Sequence, residues 1–245
     1  MLGIIGGSGL TEFEGLAHTR RAAVHTPYGD ASAALSFGRI GDEEIVFLAR
    51  HGDKHTFAPH QVNYRANIWA LKEQGARQVI AIATVGGIRK EFGPGTLVVP
   101  DQIIDYTWGR PSTFFEGAGK PVTHIDFTEP YSALLRARLI DAALACGETV
   151  APRGVYAATQ GPRLESAAEI DRLERDGADM VGMTGMPETA LAREAGLEYA
   201  ALAVVVNHAA GRGQSARGIS LEHLDAALKL AMARVRRILV KLCSR

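Results

Sequence analysis

Short Val/Ile/Leu runs alternate along this chain with longer helical patterns. Continuous apolar runs fit strands buried on both faces, so the chain has to fold as a sheet with helices packed over each side. Strands are expected at Leu2–Ile5, Ala33–Phe37, Glu44–Ala49, Gln78–Ala83, Thr96–Val99, Gly154–Thr159, Asp179–Met183 and Tyr199–Val206. Val62, Ala66, Trp69 and Ala70 recur at helical spacing and predict a helix over Gln61–Gly75. Pro187 and Gly196 bracket a second helix, with Pro at its start and Gly past its end. At the C-terminus Leu221, Leu224, Leu228, Ala231, Val235, Ile238 and Leu242 form a stripe that reads as core packing rather than a coiled-coil seam.

No linker, repeat or low-complexity tract divides the 245 residues, so one domain over 1–245 is expected. Lys plus Arg equals Asp plus Glu at 27 each, and no block of like charge appears. That balance gives no support to a nucleic-acid or anionic-membrane partner and turns attention to a small molecule. The opening MLGIIGGSGL lacks a basic leader, and no uninterrupted apolar stretch approaches the ~18 residues of a membrane span. Cys146 and Cys243 are few and unpatterned, as free thiols of a reducing compartment would be, so a soluble cytoplasmic protein is expected.

Two stretches resist assignment to elements, Asp105–Glu129 and Ala209–Ser220. Long loops in a compact fold tend to be lids or contact surfaces. The first carries Tyr106, Trp108, Phe114, Phe115 and Phe127, apolar area that predicts packing on another subunit.

The chemistry-bearing residues collect where strands end. GGSGL follows the first strand, where glycines let backbone N–H groups approach an anion and Ser8 adds a hydroxyl; a plain tight turn fits as well. The dinucleotide fingerprint is absent, because from Gly7 the chain reads GSGLTE and then FEGL. Arg50 and His51 end another strand and are suited to donate charge-assisted bonds to an oxyanion. A metal site at His51, His55 and His60 is disfavoured for want of a carboxylate or Cys partner at ligand spacing. Thr84 with Gly86-Gly87, and Met183 with Thr184, sit at two further ends. Glu165 follows Gly161-Pro162 at the start of a helix holding Ala167, Ala168, Ile170 and Leu173, where a carboxylate serving only the helix dipole is the alternative. LAVVVNHAA supplies the last, Asn207, after five aliphatic residues and with no Gly or Pro to announce a turn. Such convergence matches ligand siting at the edge of α/β sheets.

These residues lie in IIGGSGL, RHGDKHTFAPHQVNYRANIWALKEQG, TVGGIRKEFGPG, THIDFTEPY, QGPRLES, GMTGMPE, LAREAGL and VVVN. Together they make a chain that resembles the trimeric-type purine nucleoside phosphorylases, and within them the methylthioadenosine phosphorylase branch, over almost its whole length. The resemblance implies the nucleoside phosphorylase fold, a mixed central sheet flanked by helices. It also implies a homotrimer, which can pair into a dimer of trimers, and phosphorolysis with inorganic phosphate as co-substrate and no metal or organic cofactor. Carried over, Ser8, Arg50, His51, Ala83, Thr84 and Thr184 bind phosphate, Met183 lies under the ribose, and His124 is lent to a neighbouring subunit's pocket.

Departures from the branch decide the substrate. Where methylthioadenosine enzymes typically carry aspartates this chain has Asn207 and Ala209, and where they carry Phe and Ser after the QGPR segment it has Leu164 and Glu165. Glu and Asn at these places resemble the base-reading pair of 6-oxopurine phosphorylases. A carboxylate only accepts, whereas Asn207 can donate to O6 and accept from N7–H while Glu165 accepts N1–H. Leu221 stands where oxopurine enzymes present a histidine to the 5′-hydroxyl, and its side chain suits a thioether. The expected reaction is therefore phosphorolysis of S-methyl-5′-thioinosine. Inosine or guanosine, and methylthioadenosine, are the alternative substrates; a hydrolytic nucleosidase and a non-catalytic nucleoside-binding protein are the alternative classes.

Overall fold

A computed structural model describes residues 1–10, 17–117, 119 and 121–244, leaving aside the side chains of 17–19 and 221–227. In chain order the elements begin with β1 (Leu2–Gly6), β2 (Ala17–Ala22), the small hairpin β3 (His25–Thr26) and β4 (Gly29–Asp30), β5 (Leu35–Ile40) and β6 (Glu43–Ala49). There follow α1 (Tyr64–Glu73), β7 (Gln78–Gly87), β8 (Leu97–Val98), β9 (Gln102–Asp105), α2 (Ala133–Ala145) and β10 (Val155–Ala158). The chain continues through α3 (Ala167–Arg175), β11 (Met180–Gly182), α4 (Gly185–Glu194), β12 (Glu198–His208) and α5 (Leu221–Cys243).

The sheet is mixed and runs β2-β5-β6-β1-β7-β11-β10-β9, with β12 pairing β7 and β8. Strands β6, β1, β7 and β12 are mutually parallel neighbours, as their unbroken apolar runs require. Successive residues of each run feed opposite faces: Ile4, Ile80 and Leu202 join the core under α2 and α5, while Ile5, Val79, Ala81 and Ala201 join the core under α1 and α4. Side chains close the helix starts. Asn63 accepts from the Ala66 N–H on α1, Ser132 from Leu135 on α2, and Ser166 forms a capping box with Glu169 on α3.

One feature of the sheet positions everything that follows. β7 pairs with β1 up to Ala81, and on leaving β1 it pairs antiparallel with β11 from Gly86. Between those registers Ile82–Val85 have no strand neighbour on that edge, which opens a notch in the middle of the sheet.

The sequence expectations need three adjustments. β2, the β3–β4 hairpin, β9 and α2 add to the expected elements, and β7 and β12 run on to Gly87 and His208 rather than ending at Ala83 and Val206. The aromatic stretch is satisfied mostly within its own chain: Phe114 is buried against Tyr28 and Trp69, Phe127 packs on the core cluster that includes Met180, Met186 and Val205, and the Tyr106 hydroxyl donates to Asp176 at 2.6 Å. Only Trp108 and Phe115 of that aromatic set are left exposed. In the C-terminal stripe Ala231, Val235 and Ile238 are buried as expected, whereas the side chains of Leu221 and Leu224 lie outside the described residues.

Candidate active site

The notch opens into a cavity of about 440 Å³ lined from β1, β6, β7, β11, β12 and the loops after them. That volume suits a nucleoside-sized ligand. At its floor Gly7 crosses β7 so closely that a Cβ would stand 2.5 Å from the Ile82 carbonyl and 3.1 Å from the Arg50 guanidinium, so only glycine fits there. Ser8 follows, with its hydroxyl 3.4 Å from His55 Nε2.

Arg50 is 1% exposed and clamped. Its Nε and Nη2 donate to the two Glu188 oxygens at 2.7 and 2.8 Å, and Nη1 donates to the Ile82 carbonyl at 2.9 Å. Glu188 also accepts from the Tyr199 hydroxyl at 2.8 Å. Burial alone would lower the Arg50 pKa, but the Glu188 carboxylate holds it above its ordinary value and the side chain stays charged. Of its five N–H donors three are engaged, which leaves one on each terminal nitrogen for the cavity.

His51 differs from the sequence expectation in its protonation. Burial first, and then the Arg50 charge, push its pKa down to about 4, so the ring is neutral near pH 7. Nδ1 lies 2.8 Å from the Phe57 carbonyl and donates to it, so Nε2 carries a lone pair. His51 is therefore an acceptor at Nε2 rather than the charged donor expected. His55 stacks on it with ring centroids 4.6 Å apart, and its pKa is also lowered by burial.

The opposite end is uncharged save for one carboxylate. Glu165 accepts from the Thr159 hydroxyl at 2.7 Å, which fixes one oxygen and leaves the other for a ligand. The pairing of β12 with β7 slips between Val205 and Asn207, so Val206 is an inserted residue. Adjacent residues of a regular strand face opposite ways, yet Val206 and Asn207 both line the cavity, as a bulge allows. The Asn207 amide donates to the His208 carbonyl at 2.6 Å, which leaves one N–H and Oδ1. Gly86 lies beneath it; a Cβ there would stand 3.5 Å from Nδ2.

Ser8, Arg50, His51, Thr84, Met183 and Thr184 thus share one cavity with Leu164, Glu165 and Asn207. Ala83 is buried behind the wall rather than on it. His124 is exposed and does not line the cavity, and the Leu221 side chain lies outside the described residues. Sequence reasoning passed over Phe57, Pro59, Val206 and Ile219, which make the cavity's apolar walls. Phe57 carried a signal as the one large apolar residue between Gly52 and Val62; the others carried none. Among the described residues no group of three or more His, Cys, Asp or Glu is gathered as a metal ion would need.

A clamped cation and hydroxyls facing an amide and a carboxylate across apolar walls suit an anion held beside a polar heterocycle. The chain belongs to the phosphorylase superfamily, whose model matches residues 1–244. It is 53% identical over 98% of its length to a probable S-methyl-5′-thioinosine phosphorylase of Pseudomonas syringae pv. tomato, covering 97% of that protein. A 6-oxopurine nucleoside phosphorylase of Pyrococcus furiosus is 48% identical over 86% of this chain and 80% of its own length. A methylthioadenosine phosphorylase from Schistosoma mansoni, solved in complex with adenine, superposes with a TM-score of 0.95 at 33% identity, covering 99% of this chain and 90% of that one. Among the described residues no helix is long and apolar enough to cross a membrane.

Proposed function

We propose that this cavity phosphorolyses S-methyl-5′-thioinosine to hypoxanthine and 5-methylthioribose 1-phosphate, with inorganic phosphate as the nucleophile and no cofactor. The observation that carries the base assignment is the pinned Asn207 amide. With one N–H spent on the His208 carbonyl, it offers a donor to O6 and an acceptor to N7–H. The free oxygen of Glu165 accepts N1–H, which hypoxanthine has and neutral adenine lacks. A buried mismatch costs roughly 1–3 kcal/mol per group, so two disfavour adenine by on the order of a hundredfold.

The two remaining N–H groups of Arg50, with Ser8, Thr84 and Thr184, hold phosphate below the anomeric carbon. Because phosphate is already anionic, the protein has to position it rather than generate it. A phosphate oxygen bonds to C1′ as the C1′–N9 bond breaks, the bonding electrons move into the purine, and the proton that the phosphate gives up to solvent is balanced by one that the purine takes at N7. The Asn207 N–H stabilises the density that gathers on O6, so its hydrogen bond strengthens in the transition state, while Glu165 orients the ring through N1–H. His51 Nε2 accepts from a ribose hydroxyl or a protonated phosphate oxygen.

Phe57, Pro59, Val206 and Ile219 supply apolar walls that suit a thioether better than a hydroxyl. The reading includes a homotrimer in the cytoplasm, with His124 completing a neighbour's site. It is supported by the exposure of Trp108, Phe115 and His124 on one segment and by two free thiols. Sedimentation equilibrium tests the trimer; a monomeric mass overturns it.

Turnover of methylthioinosine, methylthioadenosine, inosine and guanosine, each with and without phosphate, tests the substrate. Methylthioinosine should lead, and only with phosphate. Preference for methylthioadenosine overturns the base assignment. Preference for inosine moves the activity to that of the Pyrococcus relative, and product release without phosphate makes the protein a nucleosidase.

A further inference from the structure

A buried arginine outside the cavity wall ties the two ends of this cavity together. Arg110 is 8% exposed and lies in the long aromatic stretch, not in the cavity wall. Its Nη2 donates to the Thr159 and Gln160 carbonyls at 3.2 and 2.8 Å, and Nε to the Gln160 side-chain oxygen at 3.2 Å. Nη1 donates to the Met183 and Met186 carbonyls at 2.9 and 2.6 Å, with the Tyr64 hydroxyl at 3.3 Å. All five N–H donors are therefore spent on carbonyl, amide and hydroxyl oxygens, and none on a carboxylate.

Burying a cation without a counter-ion is costly, and a fold retains it where its donors hold something that would otherwise drift. The bonds divide between two loops. Thr159 and Gln160 begin the loop that carries Glu165, and Thr159 itself holds the Glu165 carboxylate. Met183 and Met186 flank Thr184, where β11 turns into α4. The β10–β11 ladder joins the two segments only as far as Ala158 and Gly182, with the Thr159 N–H donating to the Gly182 carbonyl at 2.8 Å. Beyond that point no strand pairing links them, and the fork of a single guanidinium spans Gln160, Met183 and Met186.

We propose that Arg110 is a positioning residue that holds the Glu165 loop and the Thr184 turn in one frame, setting the distance between base and phosphate. The proposal rests on the phosphorolysis reading above. Arg50 and Ser8, which contribute to phosphate binding, and Asn207, which contributes to base binding, sit on or directly after β6, β1 and β12, not on the clamped loops. Loss of Arg110 should therefore leave each reactant's binding nearly intact and spoil their alignment, which costs about a hundredfold for an error of about an ångström.

Arg110→Met and Arg110→Lys test this, the second keeping the charge and stem but only three donors. The expected result is a kcat lowered at least about thirtyfold in Arg110→Met and tenfold in Arg110→Lys, with the KM for nucleoside and phosphate within about threefold of wild type. Hydrogen exchange should rise about tenfold or more in residues 159–165 and 183–186 together, and this needs no substrate. Activity is compared on whichever nucleoside the wild type turns over, so an incorrect substrate assignment appears in the wild type alone. If Arg110→Met does not fold, Arg110→Lys decides. A folded Arg110→Lys with wild-type kcat, or with exchange raised in neither loop or in one alone, overturns the proposal.

Discussion

Asn207 and His51 show how one side chain's partner decides what it offers a ligand. The His208 carbonyl consumes one Asn207 donor and so orients the amide. In Asn207→Asp a carboxylate meets that carbonyl and the purine O6 lone pair to lone pair. We expect the ratio of kcat/KM for methylthioinosine over methylthioadenosine to fall by about a hundredfold, measured by competing the two nucleosides; an unchanged ratio removes Asn207 from base recognition. For His51 the Phe57 carbonyl takes Nδ1–H, and burial beside Arg50 keeps the ring neutral down to about pH 4. Its pKa is thus depressed from an ordinary 6.5, so on acidification the unfolded chain takes up the proton first. The associated stability is present above about pH 6.5 and is lost as pH falls towards 4. His55, also depressed, adds in the same direction. Urea midpoints for His51→Gln between pH 7 and 4 should decline less steeply than wild type; equal slopes would show that His51 is not the group.

At the scale of elements, strands buried on both faces were legible because nothing but a two-sided core explains runs such as Leu202–Val206. The site was legible to the extent that it hangs on strand ends: Ser8, Arg50, Met183 and Asn207 each stand directly past, or within, the last residues of such a run. What the sequence could not carry is the relation between strands. The notch depends on β7 exchanging β1 for β11, and the aiming of Asn207 depends on an inserted Val206 that no Gly or Pro marks. Helix α2 escaped for a different reason. Leu134 and Leu144 are 60% and 66% exposed while Leu135 and Leu139 are buried, so the apolar residues make no single stripe. The cluster holding α5 was equally hidden: Arg234 and Arg237 both donate to Glu148, and Arg234 reaches the Gly95 and Thr149 carbonyls as well. Glu148→Ala leaves two arginines without their carboxylate and should lower the thermal midpoint by about 3–6 °C with the substrate ranking unchanged. Calorimetry beside the nucleoside panel checks both halves, and a changed ranking would mean that α5 reaches the cavity more directly than proposed.

At the scale of the whole molecule, the proposed anion site would couple binding to protonation and to folding, because it sets a charged arginine beside a histidine kept neutral. Arg50 is matched by Glu188, so the pair brings no net charge, and the His51 lone pair faces a cavity that a dianion is proposed to fill. A bound dianion offsets the Arg50 charge and attracts the imidazolium, which counters the burial penalty without removing it. Phosphate binding should then raise the His51 pKa from about 4 and draw in a proton when measured between pH 4 and 6.5, yet take up none at His51 near pH 8. Titration calorimetry in buffers of differing ionisation heat reads this as the difference in proton uptake between wild type and His51→Gln at pH 5.5, the ionisation of phosphate itself being common to both. The same linkage stabilises the fold: phosphate at a hundred times its Kd contributes about 2.7 kcal/mol, which for a chain of this size raises the thermal midpoint by roughly 5–10 °C. Phosphate that leaves both the midpoint and the proton count unmoved would mean that the Arg50 end of the cavity is not where the anion sits.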